Sequence, residues 1–389
     1  MRFANELSRR DALRLALAGG ASVATLGRLS PALAGGTINF ADIGVGDPNG
    51  DWTRYTRTSG YNVNLVSIGN APSAILNVLV AGGGTGIYDI INIVGGMQKP
   101  LVDNNLIDEL DISKIPSWAR DQNIGEFLAA GSPGFNFIGY NGKIYGCPTV
   151  LQGDSFAYLP EKTGPLDSYA ALFDPKFKGY VALEDNYTTA AAKTALYLKA
   201  SGMADIKNVD DMTPEEFKRV IDFLIEQKKR GQFRVIWNSF QQAVDLLVNK
   251  EVYVMDCWEP MVFVARTKGV DAVYAHPKEG YLLWAMAAYV VNNAKRSTEQ
   301  TAAAYQLLDF MLGGWYGAKI TTLRGYMTNT DAPAYAKAHT DEFSADEAAK
   351  VTTITENVRG KFAKGGTWQN RWPTAVDVYE SQWSRFKSA

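Results

Sequence analysis

Apolar positions in the first hundred residues of the recognisably folded chain fall into short unbroken runs separated by stretches of helical spacing. TINFADI (37–43), YNVNLVSI (61–68) and YDIINIV (88–94) are rich in Ile and Val, and PSAILNVLV (72–80) between them has the period of a helix. Runs of this length without alternation predict strands covered on both faces, hence an α/β fold with a mostly parallel sheet. The middle of the chain repeats the order: strand over 180–184 (YVALE), helix over about 187–200, strand over 233–237, helix over 240–248, strand over 252–258 (VYVMDCW) and helix over 260–267. Within it, TPEEFKRVIDFLIEQKKRG (213–231) predicts one long helix. Thr213 caps it, Pro214 suits the first position, Glu216 completes a capping box, and Lys228, Lys229 and Arg230 face its negative end before Gly231. Phe217, Val220, Ile221, Leu224 and Ile225 form its apolar stripe.

A last apolar run, YLLWAMAAYVVNN (281–293), precedes STEQTAAAYQLLDFMLGG (297–314), where Ser297 and Gln300 predict a helix start and Gly313-Gly314 its end. The run fits either a central strand of one sheet or a strand shared by two lobes. Once a leader is set aside, about 355 residues exceed what a single core supports, so two lobes are expected. The glycines of AGGGTGIYD (81–89) follow a helix and precede a strand, the reverse of a phosphate-cradling loop, and predict a helix end and turn. Val94-Gly95-Gly96 does leave a strand. Its amides fit either a contact to a ligand oxygen or a tight turn.

The N-terminus reads as a leader: SRRDALR (8–14), the apolar stretch LALAGGASVATL, then SPALA before Gly35. A paired arginine, a short apolar stretch and an A-x-A-like site predict export of Tat type with removal of residues 1–34, and the periplasm as destination. No later run reaches about 18 uncharged apolar residues, so the remainder is expected to be soluble. Losing the leader takes five Lys/Arg and two Asp/Glu from the 39 and 41 of the whole chain and leaves a net charge of −5. That balance, without a basic block, argues against nucleic acid as a partner.

Candidate chemistry is sparse. Two cysteines, Cys147 and Cys257, lie too far apart for a CxxC or zinc motif; an oxidising compartment permits a disulfide between them, and the sequence does not decide it. Two histidines, His276 and His339, sit in polar loop-like contexts and point to no metal site. GxSxG, HExxH, a P-loop and a zinc deaminase signature are all absent. No catalytic residue, metal or cofactor is expected.

Several stretches together resemble a known family. YDIINIV (88–94), KIYGCPTV (143–150), SYAALFDPKFKGYVALEDN (168–186), the block from VMDCWEP to VVNNAKRS (254–297), LRGYMTN (323–329) and TWQN (367–370) occur in the order found in extracellular solute-binding proteins of ABC importers, the spermidine/putrescine-binding group in particular. The resemblance implies a two-lobed clamshell, each lobe a βα sandwich, linked by crossing hinge strands. The crossings would fall near Pro148–Gln152 and Leu283–Ala288, with a return near Arg324–Asn329. The division implied is lobe 1 over 35–150 plus 286–325 and lobe 2 over 151–285 plus 326–389.

It also implies a monomer that captures a small solute between the lobes and delivers it to a permease in the inner membrane. An exported enzyme, or a receptor feeding a signalling sensor, is the alternative. Polyamine binders hold their ligand with aromatic rings and carboxylates, by cation–π attraction and charge pairing. Carried across, the aromatic positions fall on Trp258, Trp284 and Tyr326, with Trp52 as a further match and Gln369 as a polar contact. The ammonium-binding acids fall on Asn186, Thr189 and Met286, and a Ser/Tyr pair on Val94 and Gly96. A buried ammonium without a counter-charge costs several kcal/mol, so a polyamine is disfavoured at those positions unless Glu184, Asp185, Asp256 or Glu259 substitutes. Arg324 and Arg371 are candidate partners for a carboxylate, sulfonate or phosphonate, and amine, opine-like or amino-acid-like, and phosphonate- or sulfonate-like solutes all stay open.

Overall fold

The computed structural model describes residues 35–68, 72–80, 83–119, 133–369 and 371–389; the expected leader lies outside the described residues. A ten-stranded sheet runs through the molecule. Its first part is parallel, with β1 (Thr37–Asp42) between β2 (Asn62–Ser67) and β3 (Ile90–Val94). A hairpin of β4 (Gly139–Tyr140) and β5 (Lys143–Ile144) leads into β6 (Gly146–Tyr158). The far part is again parallel, with β7 (Val181–Glu184) between β8 (Phe233–Trp237) and β9 (Val254–Cys257). β10 (Val273–Tyr274) pairs with β6, and β12 (Gly366–Trp368) runs parallel to β11 (Tyr281–Val290). Along the path β2-β1-β3-β11-β6-β9-β7-β8 the two parallel parts are joined by the antiparallel pairs β3–β11, β11–β6 and β6–β9.

β6 and β11 are the crossing strands. All 13 residues of β6 and all 10 of β11 are buried, which is why the latter reads as an apolar run without alternation. Leu282 packs in the core that holds Phe156, Leu183 and Phe217. Leu283 and Ala285 through Val291 pack in the core that holds Ile38, Phe40 and Ile91. One strand therefore serves two cores, and the shared-strand reading of 281–293 is the one observed.

The second core lies on both faces of its sheet, around Phe217, Val220, Ile221 and Leu224 on one side and Trp237, Leu247, Met255 and Met261 on the other. The helix Pro214–Lys229 carries the expected capping box: Glu216 N donates to Thr213 Oγ1 (3.2 Å) and Thr213 N to Glu216 Oε2 (2.8 Å). Such a cap contributes about 1 kcal/mol. The chain's last helix, Val376–Ser388, joins this core through Tyr379, which stacks on Phe217 at 3.7 Å, and through Trp383 and Phe386.

The helices Ala332–Ala338 and Ala345–Lys364 instead pack in the first core through Ala332, Ala336, Val351, Ile354 and Val358, whereas the sequence division groups their residues with the second lobe. They follow the helix Gly314–Arg324 too closely to leave it: at Gly317 a Cβ would stand 2.5 Å from Asn329 Nδ2 and 3.0 Å from Ala332 Cβ. Cys147 and Cys257 are both free and buried, one in each core, so the permitted disulfide is not made. Among the described residues, no helix is long and apolar enough to cross a membrane.

Candidate functional site

Where β6 runs beside β11, Asp154 is opposite Leu282 and Gln152 opposite Trp284. Glu184 ends β7, and β9 delivers Asp256 and then Trp258 and Glu259 into the helix Glu259–Thr267. These are carboxyl ends of parallel strands, where open α/β sheets leave room for ligands. The elements bring four carboxylates, Asp154, Glu184, Asp256 and Glu259, and two ammonium groups, Lys193 and Lys361, into one zone, each residue at most 7 % exposed.

Two of the acids have a lysine. Asp256 is paired with Lys193, both side chains wholly withdrawn from solvent. Glu259 Oε2 accepts from Lys361 at 2.6 Å, and its Oε1 from Asn357 at 3.1 Å. Lys361 also donates to Gln152 Oε1 (2.9 Å) and Gly153 O (3.0 Å), and so ties a helix of the first core to β6 and to a helix of the second core.

Asp154 and Glu184 have no lysine bonded to them. Asp154 Oδ2 accepts from Gln369 Nε2 at 3.0 Å, while its Oδ1 has no hydrogen-bond partner among the described residues. Burial pushes its pKa above the carboxylate range, against the pull of Lys193, Trp284, Gln369 and Lys361. Glu184 Oε2 accepts from Trp258 Nε1 at 3.2 Å. Burial, with Asp256 and Asp154 close by, lifts Glu184 to about 8 despite Lys193. Burial thus holds both acids toward their neutral form unless a cation stands beside them.

Aromatic rings wall it. Trp284 and Tyr326 meet edge to face at 5.3 Å, and Trp258 meets Trp237 in the same manner at 5.7 Å. The Tyr326 hydroxyl is pushed up by burial and by Asp154, Glu259 and Glu184, with Arg324 opposing, so both signs of charge act on it. Trp284 Nε1 acts on the Asp154 carboxyl but meets no acceptor in full hydrogen-bond geometry, and Gln369 Oε1 is buried without a hydrogen-bond partner among the described residues. Buried polar atoms left open in this way call for an explanation, and a ligand supplies one.

The structure thus gathers Trp284, Tyr326 and Gln369 around Asp154, and Trp258 with Thr189 beside Glu184. Other expected site residues have different surroundings. Asn186 caps the π-helical turn Tyr187–Ala191 by accepting from Thr188 N at 2.9 Å. Met286 is fully buried between Val94 and Val150 in the sheet. Trp52 packs edge to face on Phe40 at 5.8 Å in the first core. Gly96 takes a positive φ of 97°; its amide donates to Gln98 Oε1 at 2.7 Å and its carbonyl accepts from Trp372 N at 3.2 Å, while Gly95 N donates to Ala285 O. Both amides are already engaged within the chain, which favours the tight-turn reading of Val94-Gly95-Gly96.

Of the named substitutes, Asp185 serves the C-terminal helix, accepting from Trp383 Nε1 at 2.8 Å and pairing with Lys387 at 3.2 Å. Arg371 stands 3.9 Å from Asp211 and faces Asp210, whose pKa burial raises to about 6. Arg324 makes no ion pair among the described residues; its Nη2 donates to Asp47 O at 3.3 Å and its Nε has no partner. Asp154, Lys193, Gln152 and Lys361 are the residues that sequence reasoning did not find. For Asp154 a signal existed: polar Gln152, Asp154 and Ser155 interrupt an otherwise apolar stretch after KIYGCPTV, and a buried polar residue is the informative kind.

A two-lobed α/β chain whose crossing strands border a charged, aromatic-walled seam is a solute-binding protein of the clamshell type. The family model for bacterial extracellular solute-binding proteins matches residues 53–352, and the chain belongs to that family. It is 24 % identical over 346 residues to spermidine/putrescine-binding periplasmic protein 1 of Haemophilus influenzae, covering 88 % of this chain and 86 % of that one. It is 26 % identical over 221 residues to the spermidine/putrescine-binding periplasmic protein of Escherichia coli, covering 57 % of each. Among solved structures, the spermidine/putrescine ABC transporter substrate-binding protein PotD of Streptococcus pneumoniae, in complex with calcium and HEPES, superposes with a TM-score of 0.68 at 16 % identity, covering 91 % of this chain and 99 % of that one. The periplasmic binding protein MotA of A. tumefaciens B6, in complex with glucopine, gives 0.65 at 18 %, covering 90 % and 99 %. The chain is a substrate-binding protein of the ABC-transporter type, in the spermidine/putrescine-binding-like group.

Proposed function

We propose that the protein, exported to the periplasm by its twin-arginine leader, captures a small organic solute bearing an ammonium group and delivers it as a monomer to an inner-membrane ABC permease. The lobes divide at the crossing strands near 150 and 286, with the helices Ala332–Ala338 and Ala345–Lys364 grouped with the first lobe. The observation that carries the ligand reading is the pair Asp154 and Glu184, buried without a bonded lysine between aromatic walls. In place of the acids missing from the family positions Asn186, Thr189 and Met286 stand Asp154 on β6 and Glu184 at the end of β7, which answers the charge objection to an amine. A ring face beside such a cation adds about 0.5–2 kcal/mol.

One observation favours a second form of the same reading. Arg324 has no ion pair among the described residues and acts on the same Tyr326 hydroxyl as the acids, which suits an amino-acid-like or opine-like solute with a carboxylate as well as an ammonium. A phosphonate or sulfonate without an amine would meet uncompensated carboxylates and is disfavoured. Native mass spectrometry of the purified protein, followed by calorimetry with amines, amino acids and phosphonates, tests this. Saturable binding of an ammonium solute without turnover is expected. Binding confined to anions, or chemical conversion of the solute, would overturn it.

A further inference from the structure

The seam already holds an ammonium group of its own. Lys193 lies in the first turn of the helix Ala192–Ala200, fully buried, with its Nζ bonded to Asp256 Oδ1; the other oxygen, Oδ2, accepts from Glu184 N at 3.2 Å. Burial opposes the Lys193 charge, yet Asp256, Asp154 and Glu184 together outweigh it and hold the amine protonated. Three carboxylates therefore share one lysine. As an element of the core this arrangement has little to recommend it, because the desolvation of two ions offsets most of their attraction and an apolar pair of the same volume serves as well. As chemistry it matters: a primary alkylammonium on a four-carbon stem is the same group that an amine ligand would present to these acids.

Resting on the ammonium reading above, we infer that Lys193 is a specificity-determining residue: its built-in ammonium fills one cation place of the acid cluster, so the seam selects solutes with a single ammonium over diamines and triamines. A second ligand ammonium brought to Asp256 or Glu184 would stand against Lys193, a like charge in a medium that screens poorly. Lys193 and Lys361 each pair with one acid, and the remaining two, Asp154 and Glu184, both raised first by burial, flank the place left for a ligand cation. Trp284 and Tyr326 beside it suit one alkyl stem.

The test is calorimetry at pH 7 on the mature chain with n-butylammonium and putrescine, which differ in the second ammonium, and with spermidine. The wild-type protein is expected to bind n-butylammonium more tightly than putrescine and spermidine most weakly. Lys193→Met, which leaves Asp256 open, should move the ratio toward putrescine by about tenfold or more. The double variant Lys193→Met with Asp256→Asn removes both charges and should keep the wild-type order. That variant and the wild-type ratio decide the matter even where the single variant does not fold. Tighter binding of putrescine than of n-butylammonium by the wild type would overturn the role of Lys193 while leaving the ammonium reading intact, as would an unchanged ratio in folded Lys193→Met. Binding of neither amine, alongside binding of another solute, would overturn both.

Discussion

Two buried aspartates, one in each part of the molecule, have opposite relations to their surroundings. At the end of β1, Asp42 accepts from Gly44 N (2.7 Å), from Gly46 N (3.0 and 3.1 Å) and from Asn92 Nδ2 (2.6 Å), while Asn92 Oδ1 accepts from Thr149. On β6, Asp154 accepts from Gln369 and has one oxygen with no partner. Both are withdrawn from solvent and both have a pKa raised first by burial. Burial alone therefore does not separate a loop anchor from a ligand contact. An unfilled acceptor alone does not either, since buried Asp89 also has one oxygen without a partner among the described residues; what sets Asp154 apart is its place beside Gln369, Trp284 and Tyr326.

The sharpest way to break that distinction is to remove each carboxylate. Asp154→Ala is expected to weaken binding of an ammonium solute by about a hundredfold, near 3 kcal/mol, with little change in thermal midpoint; calorimetry and a melting curve check both halves. Asp42→Asn should do the reverse, costing about 2 kcal/mol of stability by denaturant titration with affinity unchanged. Identical phenotypes for the two would dissolve the contrast.

A smaller effect tests Glu184. With a folded pKa of about 8 against an ordinary 4.5, the unfolded chain binds fewer protons between those values. Stability of the ligand-free protein should therefore fall as pH rises through that window, and the penalty is absent below it. A cation reverses the preference, so affinity should rise by about tenfold between pH 7 and 9, with proton release on binding visible in buffers of different ionisation enthalpy. Glu184→Gln should flatten both profiles. Smallest is the ring term: Trp284→Ala should cost about 1 kcal/mol of binding, and unchanged affinity would make it a packing residue like Trp52.

Much of the scaffold was legible because local signals agreed with one another. Phe233–Trp237 and Phe240–Val248 fall where periodicity placed them, and Thr213 with Glu216 caps its helix as its spacing requires. β6 was legible only as a crossing near Pro148–Gln152: its Pro, Gly, Gln, Asp and Ser contradict a strand pattern, although the backbone is buried on both sides. The helices beyond Arg324 carry many small and charged residues and a weak apolar stripe. At the site, Trp284, Tyr326 and Gln369 followed from resemblance. Asp154 was marked only by the polar interruption of its apolar stretch, and Lys193 not at all, since a lone lysine in a helix gives no sign of pointing inward until its neighbours are known. The Gly96 amide is taken by a side chain two residues on, a local contact that the strand-to-turn pattern does not announce.

The bridge from Lys361 to Glu259, with its further bonds to Gln152 and Gly153, joins the packing units at a place nearly closed to solvent. Pulling those units apart would strand two bare ions in a poorly polarisable gap unless water arrived first. Any parting of the two cores at this place would therefore wait on water reaching Lys361 and Glu259.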